Sequence, residues 1–410
     1  MPEFLKLTPP DEARRIFFSH YAPPVDSEWV SLGQALGRVS AALVTAQTPL
    51  PAFPRSTVDG YAVMAADTFG AGDSLPMYLQ VSGEVAMGAA PGFALAAGQA
   101  ALIHTGGMLP DRADAVVMLE QTQSLANGMV EIQRAVAVGE NVIKVGEDVQ
   151  AGQEVIPAGK RLRPDEIGGM AALGMCEACV AKRPCVGLLS SGDEVLPLGS
   201  ELGPGQVYDV NTSSLGALVE QTGGEPRAYG ILPDSMEAME VAARQALAEC
   251  DIVVLTAGSS ASARDYTARV INRLGQPGVL VHGINFRPGK PTILALCQGK
   301  AVVGLPGNPV SALVVARMFL VPIIERFLGL QGEKQTARVL ARLTINIASQ
   351  AGREDWVPVR LMQVDGETLA EPVFGKSNLI FTLARADGLV RIPMDVTGVG
   401  AGEQVEVHLY

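Results

Sequence analysis

Between residues 186 and 328 the chain alternates short apolar runs with amphipathic segments, and few folds accept that rhythm. Strand-type runs at 186–189, 228–232, 252–256 and 301–305 are interleaved with helix-type segments at 213–222, 235–248, 266–273 and 310–328. Alternation of this length predicts a mostly parallel sheet with helices over both faces, so the connections gather at the carboxyl ends of the strands. Three polar loops fall there: Ser190-Ser191-Gly192-Asp193-Glu194, the stretch 256–265, and 305–311. A ligand crevice is expected along that edge.

The last of these loops is the most suggestive. Leu305 closes an apolar run, Pro306-Gly307 breaks it, and Asn308-Pro309 offers an N-cap and a first-turn proline to the helix that follows. A helix start presents free N–H groups and the positive end of the dipole, which suits an anion. Arg287-Pro288-Gly289-Lys290-Pro291-Thr292 precedes it, and Lys290 would add a full charge. The same residues also suit a plain strand-to-helix connection that binds nothing.

At 410 residues the chain exceeds one core, and a prior of about 100–200 residues per domain implies several units. Residues 1–50 read as helical, with Asp11 capping a segment that ends at His20 and 31–44 forming a second amphipathic run. Prolines at 49–54 mark an extended crossing, after which short β-type runs at 78–81, 99–104 and 129–133 predict a small β-rich domain. A helix over 164–173 and a strand over 179–181 lead to a boundary at Arg183-Pro184. Strand-type runs return at 339–345, 356–362 and 405–409. The expected units are 1–50 with 140–182, then 51–139, 183–328 and 329–410.

A net charge of −12 argues against a protein built to grip nucleic acid. The apolar run 312–324 is interrupted by Arg317 and Pro322 and is too short to span a bilayer, and residues 1–6 lack a secretory leader, so a soluble cytoplasmic protein is expected. Five cysteines, an odd number, suit a reducing compartment. Cys176, Cys179 and Cys185 have ligand-like spacing but lack a fourth partner, which favours ordinary packing over zinc. Walker A, Gly-x-Gly-x-x-Gly and nucleophile-elbow patterns are absent, so placement and electrostatics must carry any chemistry. Asp59, Asp148, Glu194 and Asp265 occupy loop positions. Such carboxylates either face an anionic ligand through a hard cation such as Mg²⁺ or serve as turn residues.

Ser56-Thr57-Val58-Asp59-Gly60-Tyr61-Ala62-Val63, Ile103-His104-Thr105-Gly106-Gly107, Ala113-Asp114-Ala115-Val116-Val117 with Glu120, and Gly146-Glu147-Asp148 stand in that order. Ser191-Gly192-Asp193-Glu194, Asp209-Val210-Asn211, Pro288-Gly289-Lys290-Pro291 and 305–311 follow them. The ordered set resembles the molybdopterin molybdenumtransferase family, the bacterial MoeA proteins and the E domain of gephyrin, over nearly the whole chain. The resemblance implies a multidomain α/β plus β protein. Its parts would be a three-layer α/β/α molybdopterin-binding domain, a β-rich inserted domain, an elongated discontinuous dimerisation domain and a small C-terminal β-barrel-like domain. It implies Mg²⁺-dependent insertion of molybdate into adenylylated molybdopterin with release of AMP, in a cleft shared by two subunits of a homodimer.

Residue by residue, the resemblance places Glu194, Ser260, Asp265, Arg287, Lys290, Pro306, Gly307, Asn308, Pro309 and Ser311 on the pterin and phosphate side. Glu194 and Asp265 would hold Mg²⁺. Asp59, Thr105 and Asp148 would come from the partner subunit, and Asp59, Asp148, Glu194 and Asp265 would carry the catalysis. Arg353 and Ser377 match an oxyanion pocket, although Gly375-Lys376-Ser377-Asn378 departs from the family's usual Gly-Ser-Gly. Molybdoenzymes or other cofactor-pathway proteins would be partners; nucleic acid and membrane would not. A second departure lies at 257–265, where Ala257 and Ser262 replace glycines and a backbone needing φ > 0 would be strained. A non-catalytic molybdopterin carrier, or a tungstate-using variant, is the competing reading.

Overall fold

The computed structural model describes residues 7–257, 261–330 and 337–410, with the side chains of 257 and 261–265 outside the description. The alternating segment forms a six-stranded sheet in the spatial order Glu225–Leu232, Cys185–Ser191, Ile252–Ala257, Lys300–Pro306, Ile293–Cys297, Pro277–His282. The first four run parallel, and Ile293–Cys297 is antiparallel to both its neighbours. Successive residues enter opposite cores: Ile252 and Val254 one, Val253 and Leu255 the other. Leu215, Leu218 and Val219 of the Val210–Thr222 helix cover the first face together with residues 310–328. Met239, Ala243 and Leu247 of Met236–Glu249 cover the second, with Val270, Ile271 and Leu274 of Ala261–Leu274. The three-layer α/β/α arrangement is as expected.

Helix boundaries differ from the expected ones for local reasons. Val210–Thr222 starts three residues early because Asp209 caps it, its carboxylate accepting the Thr212 N–H at 3.0 Å. Ala261–Leu274 starts five residues before the expected 266, so Asp265 sits on a helix rather than in a loop. Residues 261–265 contain no glycine and two alanines, which favours extending the helix. The single helix expected over 310–328 is three pieces: Pro309–Val315, a π-helical stretch Ala316–Leu320, and Val321–Phe327. Pro322 lacks an N–H and its ring excludes the regular bond to residue 318, and the wider turn before it absorbs that break.

Pro10–His20 is helical as expected, but Asp11 lies in its first turn while Pro9 takes the cap position. Ala13, Phe17 and Tyr21 bury in the first α/β core. The helical run expected at 31–44 shrinks to one 3₁₀ turn, Leu32–Gln34. Ser27–Ser31 pairs instead with Glu177–Ala181, and Val44–Thr45 with Glu154–Ile156, around Ala35, Ile156, Leu162, Met170 and Val180. Strand partners more than a hundred residues away override the local period.

The β-rich domain is a six-stranded sheet in the order Ala115–Met118, Gly60–Val63, Gln99–Ile103, Met77–Glu84, Met129–Ile132, Thr122–Ser124. At the C-terminus Glu354–Val364 pairs with both Glu367–Pro372 and Gly388–Ile392, and Arg338–Leu343 and Gln404–Leu409 complete a closed five-stranded barrel. Phe286–Arg287 of the α/β domain adds in parallel beside Glu354 and Asp355, and the Phe286 ring lies 6.5 Å from that of Trp356. No helix among the described residues is long and apolar enough to cross a membrane. Cys185 lies 3.1 Å from Cys250, away from exposed Cys176, and no group of three or more metal-ligating side chains occurs among the described residues.

The Pro164–Ala172 helix is anchored by Glu166, a buried carboxylate. It accepts from the Arg163 N–H at 2.9 Å and pairs with Arg163 at 2.9 Å and Lys160 at 2.7 Å. The Arg163 side-chain bond, outweighing burial, and then the Lys160 and backbone bonds pull its carboxyl from 4.5 down to about 2. Glu166→Gln is therefore expected to lower unfolding stability at pH 7 by about 1–3 kcal/mol. Because the folded pKa is depressed, the difference from wild type persists above pH 4.5 and shrinks as pH falls toward about 2. Urea melts across that range read it.

Candidate active site

Three loops among the described residues lie at the carboxyl edge of the α/β sheet, after Ser191, Leu232 and Pro306. Two central strands carry hydroxyls near this end: the Thr256 Oγ1 donates to the Leu189 carbonyl at 3.3 Å and lies 3.4 Å from the Ser190 Oγ. Gly192, at φ 150°, lets the exposed Glu194 fold back, since a Cβ there would come 3.1 Å from its carboxylate and 2.8 Å from Val195. The Asp234 N–H donates to Asp193 at 3.1 Å, adding a third acid. Loss of hydration, then the charges of Asp193 and Glu194, hold the Asp234 carboxyl above its ordinary range against a Ser191 hydrogen bond that lowers it. Three acids thus stand together at this edge.

The 287–292 turn lies on the same edge, because Ile293 pairs antiparallel with Gly304 near the carboxyl end of the neighbouring strand. Gly289, at φ 129°, is required because a Cβ would run into the Val315 side chain, so this turn packs directly on the Pro309–Val315 helix. Thr292, fully buried, donates to the Gly289 carbonyl at 2.6 Å. Lys290 is exposed, and no ion pair of its ammonium occurs among the described residues. Its charge is available to an anion.

The helix start differs from the expected anion cradle. Asn308 occupies the N-cap position but makes no side-chain cap; its Nδ2 donates 3.0 Å to the Ser377 Oγ of the barrel domain. Val310 N–H donates 3.0 Å to the Ser377 carbonyl, and Pro309 has none to give. Ser311 is buried, while Pro306 ends its strand and the Gly307 carbonyl accepts from Asn211 at 2.8 Å. Most of the free polarity of this helix end goes to holding the barrel in place.

Arg353 is likewise engaged. Its guanidinium grips buried Asp355 through two bonds of 2.6 and 3.0 Å, and Arg287 approaches the same carboxylate at 3.8 Å. Both arginines named as anion ligands thus share one internal acid at the junction of two domains.

In the β-rich domain, the Asp59 Oδ1 accepts the Thr105 N–H at 2.9 Å and lies 3.4 Å from the His104 Nδ1. The Thr105 amide, against loss of hydration and with His104, holds the Asp59 carboxyl below its ordinary range. Asp148 is exposed in a turn whose backbone bonds to Leu50. No hydrogen bond or ion pair among the described residues links Asp59, Thr105 or Asp148 to Glu194, Lys290 or the 306–311 turn. Ser260 and the side chain of Asp265 lie outside the described residues. Sequence reasoning passed over Asp234 and Asp355, and gave His104 and Asn211 no role beyond their place in the motif blocks. Asp234 left a usable trace, following the carboxyl end of a parallel strand.

Residues 8–174 match the MoeA N-terminal region (domain I and II), 187–326 a probable molybdopterin binding domain, and 340–410 the MoeA C-terminal region (domain IV). The chain is 34% identical over 387 residues to the molybdopterin molybdenumtransferase of Nostoc sp., covering 93% of this chain and 88% of that one. It is 32% identical to the molybdopterin molybdenumtransferase of Bacillus subtilis, covering 98% and 94%. The molybdopterin biosynthesis MoeA protein of Pyrococcus horikoshii superimposes with a TM-score of 0.86 at 31% identity, over 99% of this chain and 100% of that one.

Removing Arg353 strands a buried charge. Arg353→Ala is expected to destabilise by about 2–4 kcal/mol, whereas Arg353→Ala with Asp355→Asn loses less than the two single changes summed. Chemical denaturation of the four proteins completes the cycle, and strict additivity would show that the pair is not coupled.

Proposed function

The chain belongs to the MoeA family of molybdenum cofactor biosynthesis, and from that premise we propose that it is a molybdopterin molybdenumtransferase. It inserts molybdate into adenylylated molybdopterin, with Mg²⁺, and releases AMP. The observation that carries this reading is the presence, at one sheet edge, of the acids Asp193, Glu194 and Asp234 and of Lys290, whose ammonium makes no ion pair among the described residues. A phosphorylated pterin needs both sides: cations for its phosphates and acids for the metal that accompanies them.

The donor set suits Mg²⁺, since every candidate ligand is a carboxylate, and loss of hydration followed by the neighbouring acids raises the Asp234 carboxyl. Glu194 and Asp265 would hold the ion, with Asp234 beside them. Bound there, it would neutralise charge on the phosphoanhydride oxygens. Lys290 places the phosphate chain, and the 306–311 turn with Asn211 shapes the floor on which the pterin lies. Ser377 and Arg353 border the crevice from the barrel; because Asp355 already neutralises Arg353, the oxyanion meets a dipolar edge there more than a bare charge. Tungstate matches molybdate in charge and nearly in size, and competition between them decides the metal.

Asp59, Thr105 and Asp148 complete the cleft from the second subunit of a homodimer. The discontinuous unit expected at 1–50 and 140–182, within which 27–45 pairs with 154–181, is the proposed dimerisation domain. Rigid parallel packing on one side and a separate sheet on the other give the substrate two walls with independent backbones. Holding the scissile group between them lowers the barrier by orientation.

Wild-type protein is expected to release AMP from adenylylated molybdopterin only with both molybdate and Mg²⁺, and Glu194→Ala and Asp265→Ala to lose release while keeping their fold. Pterin binding without AMP release by wild type would replace this proposal with a carrier role. Mixing the separately inactive Asp59→Asn and Asp265→Ala proteins under subunit exchange is expected to restore roughly a quarter of the activity, because each mixed dimer regains one intact cleft. No recovery despite proven exchange excludes the shared cleft.

A further inference from the structure

His104 sits where three neighbouring strands of the β-rich sheet converge. It follows the central strand Gln99–Ile103, with Gly60–Val63 on one side and Met77–Glu84 on the other. Gly60 stands opposite Ile103, so Asp59 falls beside His104 from the first neighbour. From the second neighbour, Glu84 reaches the Nε2 of His104 at 3.1 Å while the Nδ1 lies 3.4 Å from Asp59.

The contact with Glu84 is built into the sheet. Val81 pairs with Ala100, but Gly83 pairs with Ala101, so Ser82 is an extra residue whose hydroxyl donates to the Ala100 carbonyl at 3.1 Å. Without that bulge Glu84 would stand opposite Ile103 and face away from His104. With it, Glu84 stands opposite Leu102, two residues before His104 and on the same face. The bulge re-aims one carboxylate at one imidazole.

We infer that Glu84 and His104 are positioning residues for Asp59, clamping its carboxylate at the same Oδ1 that accepts the Thr105 amide; this rests on the place given to Asp59 in the proposed function. Asp59 is 55% exposed and, among the described residues, held only by Thr105 and His104. The charged groups facing His104 are Glu84 and Asp59, and neither makes another ion pair among the described residues. The trio does not form a metal-ligand group: no set of three or more such side chains that could hold an ion occurs among the described residues. Doubly protonated, the imidazole donates to both acids; neutral, it can donate to only one, and Asp59 loses a tether. The Glu84 hydrogen bond, against loss of hydration, and then both charges raise the imidazole above its usual 6.5, which extends the clamped state toward higher pH.

The test compares wild type, His104→Gln, Glu84→Gln and Asp59→Asn as full-length protein. Each is measured by imidazole NMR titration and by pH profiles of AMP release. In Glu84→Gln the His104 midpoint is expected to move down toward 6.5, and the alkaline fall in kcat to move with it. In His104→Gln that limb should vanish, and kcat should drop about tenfold with little change in KM. Wild-type profiles in both variants, with Asp59→Asn inactive, overturn the clamp and leave the proposed function standing. Full activity in Asp59→Asn removes Asp59 from the cleft and overturns both.

Discussion

The α/β sheet is buried on both faces, and this condition organises the molecule. A parallel sheet needs crossovers, and each crossover helix must lay its apolar stripe on one side or the other. Ile252 and Val254 enter one layer while Val253 and Leu255 enter the other, so neither face is left to water. Once the helices take the faces, polar loops can collect only at strand ends. The acids after Ser191 and Leu232 and the turn after Pro306 share an edge for that reason.

The second organising feature is how the barrel attaches to this layer. Its apolar contact is Phe286 against Trp356, and beside it Glu354 and Asp355 are buried acids on adjacent positions of one strand. Asp355 is gripped by Arg353, and Glu354 by Arg391 at 2.6 Å and by the Trp356 indole N–H at 2.7 Å. Such acids tolerate burial only while paired, so the joint holds one relative placement of its two sides. Asn308 and Val310, bonded to Ser377, extend the same joint to the rim of the crevice. Side chains that a motif reading assigns to anion capture are thus partly committed to architecture.

The β-rich domain solves a different problem. Its Asp59 stands near the end of a strand, in water, where a carboxylate has many rotamers. Backbone donation from Thr105 and the neighbouring His104 restrict it. Preorganisation of this kind is set by strand register, and the bulge at Ser82 shows how one extra residue changes which side chains meet.

The sequence by itself determined the α/β alternation and the β-rich and terminal β additions, because apolar period and turn residues are local and survive in one dimension, while the barrel form of the last unit was implied only by the family resemblance. The conspicuous blocks around Asp59, Glu194, Lys290 and 306–311 were legible for the same reason. Pairing decided the rest. Residues 31–44 look amphipathic, but this region joins strands near 154–156 and 177–181 that no local window contains. Asp355 taking up Arg353, Ser377 taking up the Val310 amide, and Glu84 meeting His104 depend on contacts between distant segments and on a one-residue shift in register. A charge or an N–H can be counted in a sequence, but whether it is free depends on what the folded chain brings within about 3 Å of it.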